Sequence, residues 1–133
     1  MKNITLRLLT LAMLALSASS CSKSDAPGPG PVAPREYAVE YRVSSPNASA
    51  ADYVSYHNET GATTTLGTTA LPATYSFKRT MKTGDGLSIL ASLPAGAPTS
   101  EITTLILLDG KEVKKATGRG ATAQAVSVYV IGE

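Results

Sequence analysis

The sequence predicts an all-β domain, an Ig-like antiparallel β-sandwich of about seven strands. Three observations predict it: apolar and polar residues alternate with period two in several segments after residue 36, turn-forming residues separate those segments, and no window there has a helical period. Of the 133 residues, 98 follow residue 35, a length that fits one such domain. A small closed barrel is the alternative architecture.

Composition excludes several classes of function. The chain has one Cys, one His and no Trp, so it cannot form an internal disulfide or a site with two imidazoles. Without Lys2 and Arg7, which belong to the N-terminal segment, the 12 basic residues become ten and balance the ten acidic residues. A neutral chain without a basic tail is a poor match for the phosphate backbone, so we expect no nucleic acid among its partners.

Residues 1–20 have the pattern of a secretory signal peptide. Lys2 and Arg7 give a positive start, an apolar stretch runs over residues 8–16, and small residues follow at 17–20. The apolar stretch is about half of the roughly 20 residues that a membrane-spanning helix needs. We therefore expect removal on export rather than a transmembrane helix.

Cys21 follows this segment directly. The run Ala18-Ser19-Ser20-Cys21 resembles the lipobox of bacterial lipoproteins, in which the Cys is acylated and becomes the first residue of the mature chain. A free or buried Cys after an ordinary signal peptide is the alternative. Lys23 and Asp25 resemble the charged sorting signals of Bacteroidota-type lipoproteins. The expected location is the bacterial envelope, with the outer membrane favoured and its periplasmic and surface sides both open.

Residues 21–35 are predicted to form a tether between the lipidated Cys and the domain. Residues 22–35 contain four Pro and two Gly and almost no side chain to bury. Proline fixes the backbone and removes hydrogen-bond donors, so this stretch should be extended and semi-rigid. The β-sandwich is expected to occupy residues 36–133.

Five segments of the domain show clear alternation. The side chains expected to face inward are Tyr37, Val39, Tyr41 and Val43; Tyr75, Phe77 and Met81; Leu87, Ile89, Ala91 and Leu93; Ile102, Thr104, Ile106 and Leu108; and Val126, Val128 and Val130. Both faces of the last two segments are fairly apolar, which predicts central positions in their sheets.

Two weaker strands complete the predicted seven. One runs over residues 53–57 with Val54 and Tyr56 inward, and the other over 111–117 with Val113 as its anchor. Asp109-Gly110 lies between two strand-like runs and predicts a hairpin, because this dipeptide tolerates the positive φ of a type I′ turn. The predicted core comprises Tyr37, Tyr41, Val43, Tyr75, Phe77, Ile89, Ile106 and Val128.

The domain carries a series of sequence landmarks. They are VEYRV at 39–43, ADYVSY at 51–56, LPATY at 71–75, LAS at 90–92 and ITTLILLDGKEV at 102–113. Their order over residues 37–131 resembles the extracytoplasmic domain of the mycobacterial membrane protein small family, the MmpS transport-accessory proteins. The resemblance implies a β-sandwich and association with large exporters of lipids and siderophores. Those proteins are held by a transmembrane helix, whereas this chain has a lipobox and a Pro-rich tether.

His57 is the only residue that suggests a metal or catalytic site. A metal would need carboxylates such as Asp52 and Glu59 beside it, and an exposed residue entering a turn is the simpler interpretation. No G-x-S-x-G motif of a nucleophile elbow occurs. The Gly pairs at 84–86 and 118–120 are explained as turns rather than phosphate cradles. We expect no catalytic residues, no metal and no cofactor.

Two basic groups raise the question of an anionic partner. The first comprises Lys78, Arg79 and Lys82, and the second Lys111, Lys114, Lys115 and Arg119. If their strands were neighbours, a positive patch could face lipid headgroups or a glycan; solvated outer faces and protected sheet edges are the alternative. Tyr53, Tyr56 and Tyr129 are the tyrosines left for stacking on a ligand.

The sequence thus predicts a lipid-anchored envelope protein that binds the membrane through Cys21. Its expected role is a non-catalytic protein-binding or accessory module, which the family resemblance extends to a membrane transport complex. A carrier for a small apolar or anionic ligand, such as a lipid or siderophore, is the alternative.

Overall fold

The regular structure of this protein is entirely β. The computed structural model describes residues 30–133, and this part of the chain holds ten strands, no helix and therefore no membrane-spanning helix. The predictions on residues 1–20, on Cys21 and on most of the tether lie outside the described residues. The strands are β1 (Arg35–Ser44), β2 (Ala50–Ala51), β3 (Tyr53–His57), β4 (Thr63–Leu66), β5 (Thr69–Ala70), β6 (Ala73–Met81), β7 (Gly86–Ser92), β8 (Glu101–Leu108), β9 (Lys111–Arg119) and β10 (Gln124–Val130).

Two four-stranded sheets form the sandwich. The first sheet has the strand order β6-β1-β8-β9 and the second has the order β10-β7-β3-β4, while β2 and β5 form a separate short pair. Every pairing is antiparallel. The predicted Ig-like antiparallel β-sandwich is therefore confirmed, with the seven predicted strands present and three short ones, β2, β4 and β5, in addition.

The core lies between the sheets, where the alternating apolar residues of both meet. Tyr41 and Ile106 of the first sheet and Ile89 of the second are fully buried. The ring of Tyr41 lies 5.6 Å from Tyr56 and 5.7 Å from Phe77, distances at which aromatic rings attract each other. The Tyr41 hydroxyl donates to the carbonyl of His57 at 3.0 Å, which joins the two sheets. Burial raises the pKa of this hydroxyl.

The predicted hairpin at Asp109-Gly110 is confirmed. It joins β8 to β9, and its two residues have φ values of 51° and 78°, the two positive values that a type I′ turn requires. The Asp109 side chain also accepts a hydrogen bond from the Ala38 backbone N–H at 2.9 Å. The turn therefore ties the hairpin to the neighbouring strand β1.

The prediction for β10 is wrong in two respects. Its apolar residues Val126 and Val128 point outward and are 44% and 50% exposed, whereas Ala125 and Ser127 are buried. The strand also lies at an edge of its sheet, while β8, for which the same argument was made, lies inside the first sheet as predicted. Val128 is consequently not part of the core.

Close approach of β9 and β10 explains the reversed orientation. A Cβ placed on Gly118 of β9 would lie 1.8 Å from the backbone oxygen of Gln124, so the strands meet where only glycine fits. Small inward residues suit this narrow gap. The hydroxyl of Ser127 lies 2.8 Å from that of Thr104 in the first sheet and also donates to the Thr104 carbonyl, so its burial leaves no polar group unpaired.

Candidate interaction surface

The outer side of the second sheet is a flat surface built from all four of its strands. Strand register aligns Val126, Leu90, Ser55 and Thr65 in one row across β10, β7, β3 and β4. Alternation along each strand brings its other outward residues to the same side. We call this surface the uncharged face; it comprises Gln124, Val126, Val128 and Val130, Ser88, Leu90 and Ser92, Tyr53, Ser55 and His57, and Thr63 and Thr65.

The uncharged face contains no Asp, Glu, Lys or Arg. Its apolar residues gather on β10 and β7, where Val126 is paired with Leu90 and Val128 with Ser88. The β3–β4 side carries hydroxyl groups instead. Four large apolar side chains of the described residues are strongly exposed, and three of them, Val126, Val128 and Tyr53, lie here. Apolar side chains gathered on one exposed surface are typical of interaction sites.

The outer side of the first sheet has the opposite character. Three ion pairs cross it: Lys78 with Glu36 at 3.2 Å, Arg119 with Glu101 at 2.6 Å, and Arg42 with Glu40. We call this surface the charged face; it comprises the outward residues of β6, β1, β8 and β9.

Leu107 also lies on the charged face, yet only 7% of this side chain is exposed. Its cross-strand partners are Glu40 and Glu112, whose long side chains flank it.

The two predicted basic groups do not form one patch, because β6 and β9 are opposite edges of the first sheet. Arg79 is not free for a partner either, since its guanidinium crosses to the second sheet and donates to the Gly86 carbonyl at 3.1 Å. Lys78 and Arg119 are held in ion pairs. The condition for the positive patch, that the strands be neighbours, is not met.

His57 ends β3 at a corner of the uncharged face. Its Nδ1 atom lies 3.4 Å from the Gly86 carbonyl oxygen. Asp52 precedes the same strand at its other end, and Glu59 lies in the turn after it. Among residues 30–133, no three His, Cys, Asp or Glu side chains gather as metal ligands. The grouping considered for His57, Asp52 and Glu59 is thus not formed.

The tyrosines considered for ligand stacking have three different positions. Tyr53 is 38% exposed on the uncharged face. Tyr56 stacks on Tyr75 inside the sandwich, with ring centroids 4.6 Å apart, so its ring is occupied. Tyr129 lines a cleft at the end of the sandwich. Only Tyr53 therefore belongs to the candidate surface.

A cleft lies at one end of the described domain. It has a volume of about 520 Å³ and lies between the start of β1, the β8–β9 hairpin and the chain after β10. Tyr37, Val113 and Ile131 contribute apolar lining, and Arg35, Asp109, Lys111 and Glu133 contribute charges of both signs.

Arg35 and Asp109 are fixed at the mouth of this cleft. Their ion pair measures 3.0 Å, and the Arg35 guanidinium lies 3.7 Å from the centroid of the Tyr37 ring. The hydrogen bond from the Ala38 N–H, together with Arg35, holds the pKa of the Asp109 carboxyl below its usual value. Asp109 and Arg35 therefore satisfy each other, and Lys111 is the cleft cation without an ion-pair partner among the described residues.

Sequence reasoning missed the most exposed apolar residues of the candidate surface, because it placed Val126 and Val128 on the inward side of their strand. A signal was present in the small residues Ala121, Ala123 and Ala125 and in Gly118, which together indicate a close approach of two strands. Comparison with protein-family models and with curated proteins finds no match. The resemblance to the mycobacterial membrane protein small family accordingly stays a prediction.

Proposed function

We propose that this protein is a lipid-anchored component of the bacterial envelope that acts without catalysis, as a protein-binding or accessory module, and that it binds through the uncharged face. One observation carries the proposal: Val126 and Val128 are about half exposed on a sheet face that has no Asp, Glu, Lys or Arg. No charge loses its hydration when such a face is covered, and each apolar group covered contributes favourably.

The proposed anchor is a lipid on Cys21, followed by the Pro-rich tether of residues 21–35. The position of the tether's last residues supports this arrangement. Val32 exchanges hydrogen bonds with Thr83, so the chain enters the sandwich at the end where the β6–β7 turn lies. The uncharged face runs along the side of the sandwich, parallel to its strands. A membrane below the tether would leave that face open to a partner.

The binding role is tested by crosslinking in native membranes with the full-length protein. Val128→p-benzoylphenylalanine places a photoreactive group on the uncharged face, and Thr74→p-benzoylphenylalanine places it on the charged face as the matched control. We expect protein adducts from position 128 and few from position 74. Equal adducts from both positions, or none from 128, would overturn the assignment of the face.

The anchor is tested separately with Cys21→Ala. We expect this variant to leave the membrane fraction while its domain stays folded, because the strands of the described sandwich begin at Arg35. A Cys21→Ala protein that stays in the membrane after a high-salt wash would contradict lipid anchoring. Lys23 and Asp25, which follow Cys21, support outer-membrane placement, on either side.

A carrier of a small apolar or anionic ligand is the second candidate function, and the cleft of about 520 Å³ favours it. Its volume lies within the range of roughly 300–1,000 Å³ that small-molecule sites occupy. Titration with 1-anilinonaphthalene-8-sulfonate, an apolar anion, is the test. We expect Lys111→Glu to abolish binding in the cleft and Lys114→Glu, on the same strand outside the cleft, to preserve it. Equal binding by both variants would remove this candidate.

A further inference from the structure

We propose that the uncharged face pairs with the uncharged face of a second copy of this chain, in a symmetric face-to-face dimer. The inference rests on the proposed function and names the partner. It begins from the charge distribution: all four ion pairs among the described residues belong to the first sheet or to the β8–β9 turn, and the uncharged face has none.

Charge complementarity selects the partner surface. A partner with charges at the contact would have to bury them opposite Val126, Val128 and Leu90, where no counter-charge exists. Removing an unpaired charge from water costs several kcal/mol. The charged face of a second copy is therefore a poor match, whereas a second uncharged face brings no charge to the contact. The surface is complementary to itself, as a two-fold interface requires.

Shape leads to the same pairing. Two sheets pack face to face at a separation of about 10 Å when both present side chains of moderate size. The residues in the central row of the uncharged face, Val126, Leu90, Ser55 and Thr65, are all of this kind. Edge-to-edge pairing through β10 is disfavoured, because β9 lies against β10 at Gly118 and Gln124.

The apolar residues locate the centre of the contact. Val126 and Val128 stand on β10, and Leu90 stands beside Val126 on β7. A two-fold axis parallel to the strands and near this pair sets β10 of one copy against β7 of the other. The same axis brings the tether ends of both copies to one end of the dimer, so that both anchors can reach one membrane.

The area over which the two faces overlap determines how strong the dimer contact is expected to be. With the axis beside β10 and β7, only these two strands of each copy overlap; two strands about 4.8 Å apart, each with about seven residues rising roughly 3.3 Å, cover on the order of 200 Å². A standard interface takes roughly 800 Å² from each partner. The contact is accordingly weak between freely diffusing copies, and it depends on the high effective concentration that anchoring to one membrane provides.

The test uses the full-length protein in its membrane, treated with a flexible bis-maleimide. The wild-type chain has a single Cys, whose thiol is blocked if it is acylated, so an introduced Cys reports its own surroundings. Val128→Cys probes the uncharged face and Thr74→Cys the charged face. We expect a crosslinked dimer from Val128→Cys well above the level from Thr74→Cys and from the wild type. Equal yields would overturn the pairing.

A second pair of variants tests whether the crosslinked dimer arises from a specific contact or from chance collisions between copies in the membrane. In the Val128→Cys background, Val126→Lys adds a charge to the contact and should lower the dimer yield about tenfold, which corresponds to about 1.4 kcal/mol. Ser76→Lys adds the same charge to the charged face and should leave the yield unchanged. Insensitivity to Val126→Lys would overturn the inference.

The outcome also separates this inference from the proposed function. Adducts of position 128 with other proteins, in the absence of a dimer, would overturn the pairing and leave the protein-binding role intact. The absence of both kinds of adduct would overturn both.

Discussion

The two outer faces of this sandwich differ in how far they cover an apolar side chain that points outward. On the charged face, Leu107 lies between Glu40 and Glu112 and is nearly buried, although it points away from the core. On the uncharged face, Val126 has Leu90 as its partner on one side only, because β10 is an edge strand, and 44% of it is exposed. An outward side chain on an inner strand has neighbours on both sides that cover it, as the methylene groups of long charged side chains do, whereas one on an edge strand is covered on one side only.

The difference also shows what a sheet face offers to a partner. A partner of the charged face would displace water from charged side chains, which costs free energy unless each charge is paired again in the contact. A partner of the uncharged face gains apolar contact without that penalty.

Gly118→Ala should have the largest effect, because it removes the close approach that turns Val126 and Val128 outward. The new Cβ would lie 1.8 Å from the Gln124 oxygen, a backbone atom, so β9 and β10 would have to separate. We expect a loss of about 3 kcal/mol in the free energy of unfolding, measured by urea denaturation. Gly67→Ala is the control, since a Cβ there meets nothing within 4 Å. Similar stability of the two variants would contradict the close approach.

Truncation of one apolar residue on each face compares how much a covered and an exposed outward side chain contribute to stability. Leu107→Ala should lower the free energy of unfolding by about 2 kcal/mol, since this side chain is almost covered. Val128→Ala should lower it by about 0.5 kcal/mol or less, because half of the side chain is already in water. Urea denaturation of the two variants tests both values. A larger loss of unfolding free energy for Val128→Ala than for Leu107→Ala would mean that Val128, and not Leu107, is the covered side chain.

Acid should weaken the first sheet through Asp109. The pKa of its carboxyl is lower in the folded protein than the ordinary value of 3.8, so the stabilisation exists above that value and is lost as the pH falls through the folded pKa. Asp109→Asn keeps a side-chain oxygen for the Ala38 N–H but removes the ion pair with Arg35. We expect the wild type to have the higher Tm near neutral pH. The two Tm values should converge once the pH falls below the pKa of the folded carboxyl; a constant difference would exclude this carboxylate as the cause.

Loss of one exposed ion pair on the charged face should have the smallest effect. Glu36→Gln removes the pair with Lys78, in which both side chains are more than half exposed. We expect a loss of about 0.5 kcal/mol or less, and this loss should disappear at about 1 M salt, where the screening length is about 3 Å. Denaturation at low and high salt provides the measurement, and a loss that persists in high salt would mean that Glu36 acts through packing.

Local patterns were enough to predict most of the sandwich. Alternation placed Tyr41, Ile89 and Ile106 in the core, and Asp109-Gly110 located the hairpin, because both signals are contained in a few consecutive residues. The orientation of β10 was not predictable in the same way. The parity with the larger apolar residues is usually the inward one, whereas here the small Ala125 and Ser127 face inward next to the close approach at Gly118.

The candidate surface was less predictable than the fold. Ser55 and Leu90 are separated by 35 positions in the chain, and only the pairing of β3 with β7 makes them neighbours. The same holds for the basic groups, whose separation follows from the order β6-β1-β8-β9 rather than from their spacing. Properties of a face depend on strand order, which arises from long-range packing.

Hydroxyl-radical footprinting of the full-length protein tests most directly whether the uncharged face is the contact surface. Oxidation of Val126, Val128 and Tyr53 would be compared between the native membrane and protein dispersed in detergent, with Thr74 and Lys78 reporting on the charged face. We expect protection of the first three residues in the membrane and unchanged oxidation of the other two. Equal oxidation of Val126 and Val128 in both states, or protection confined to the charged face, would contradict the assignment of the uncharged face as the contact surface.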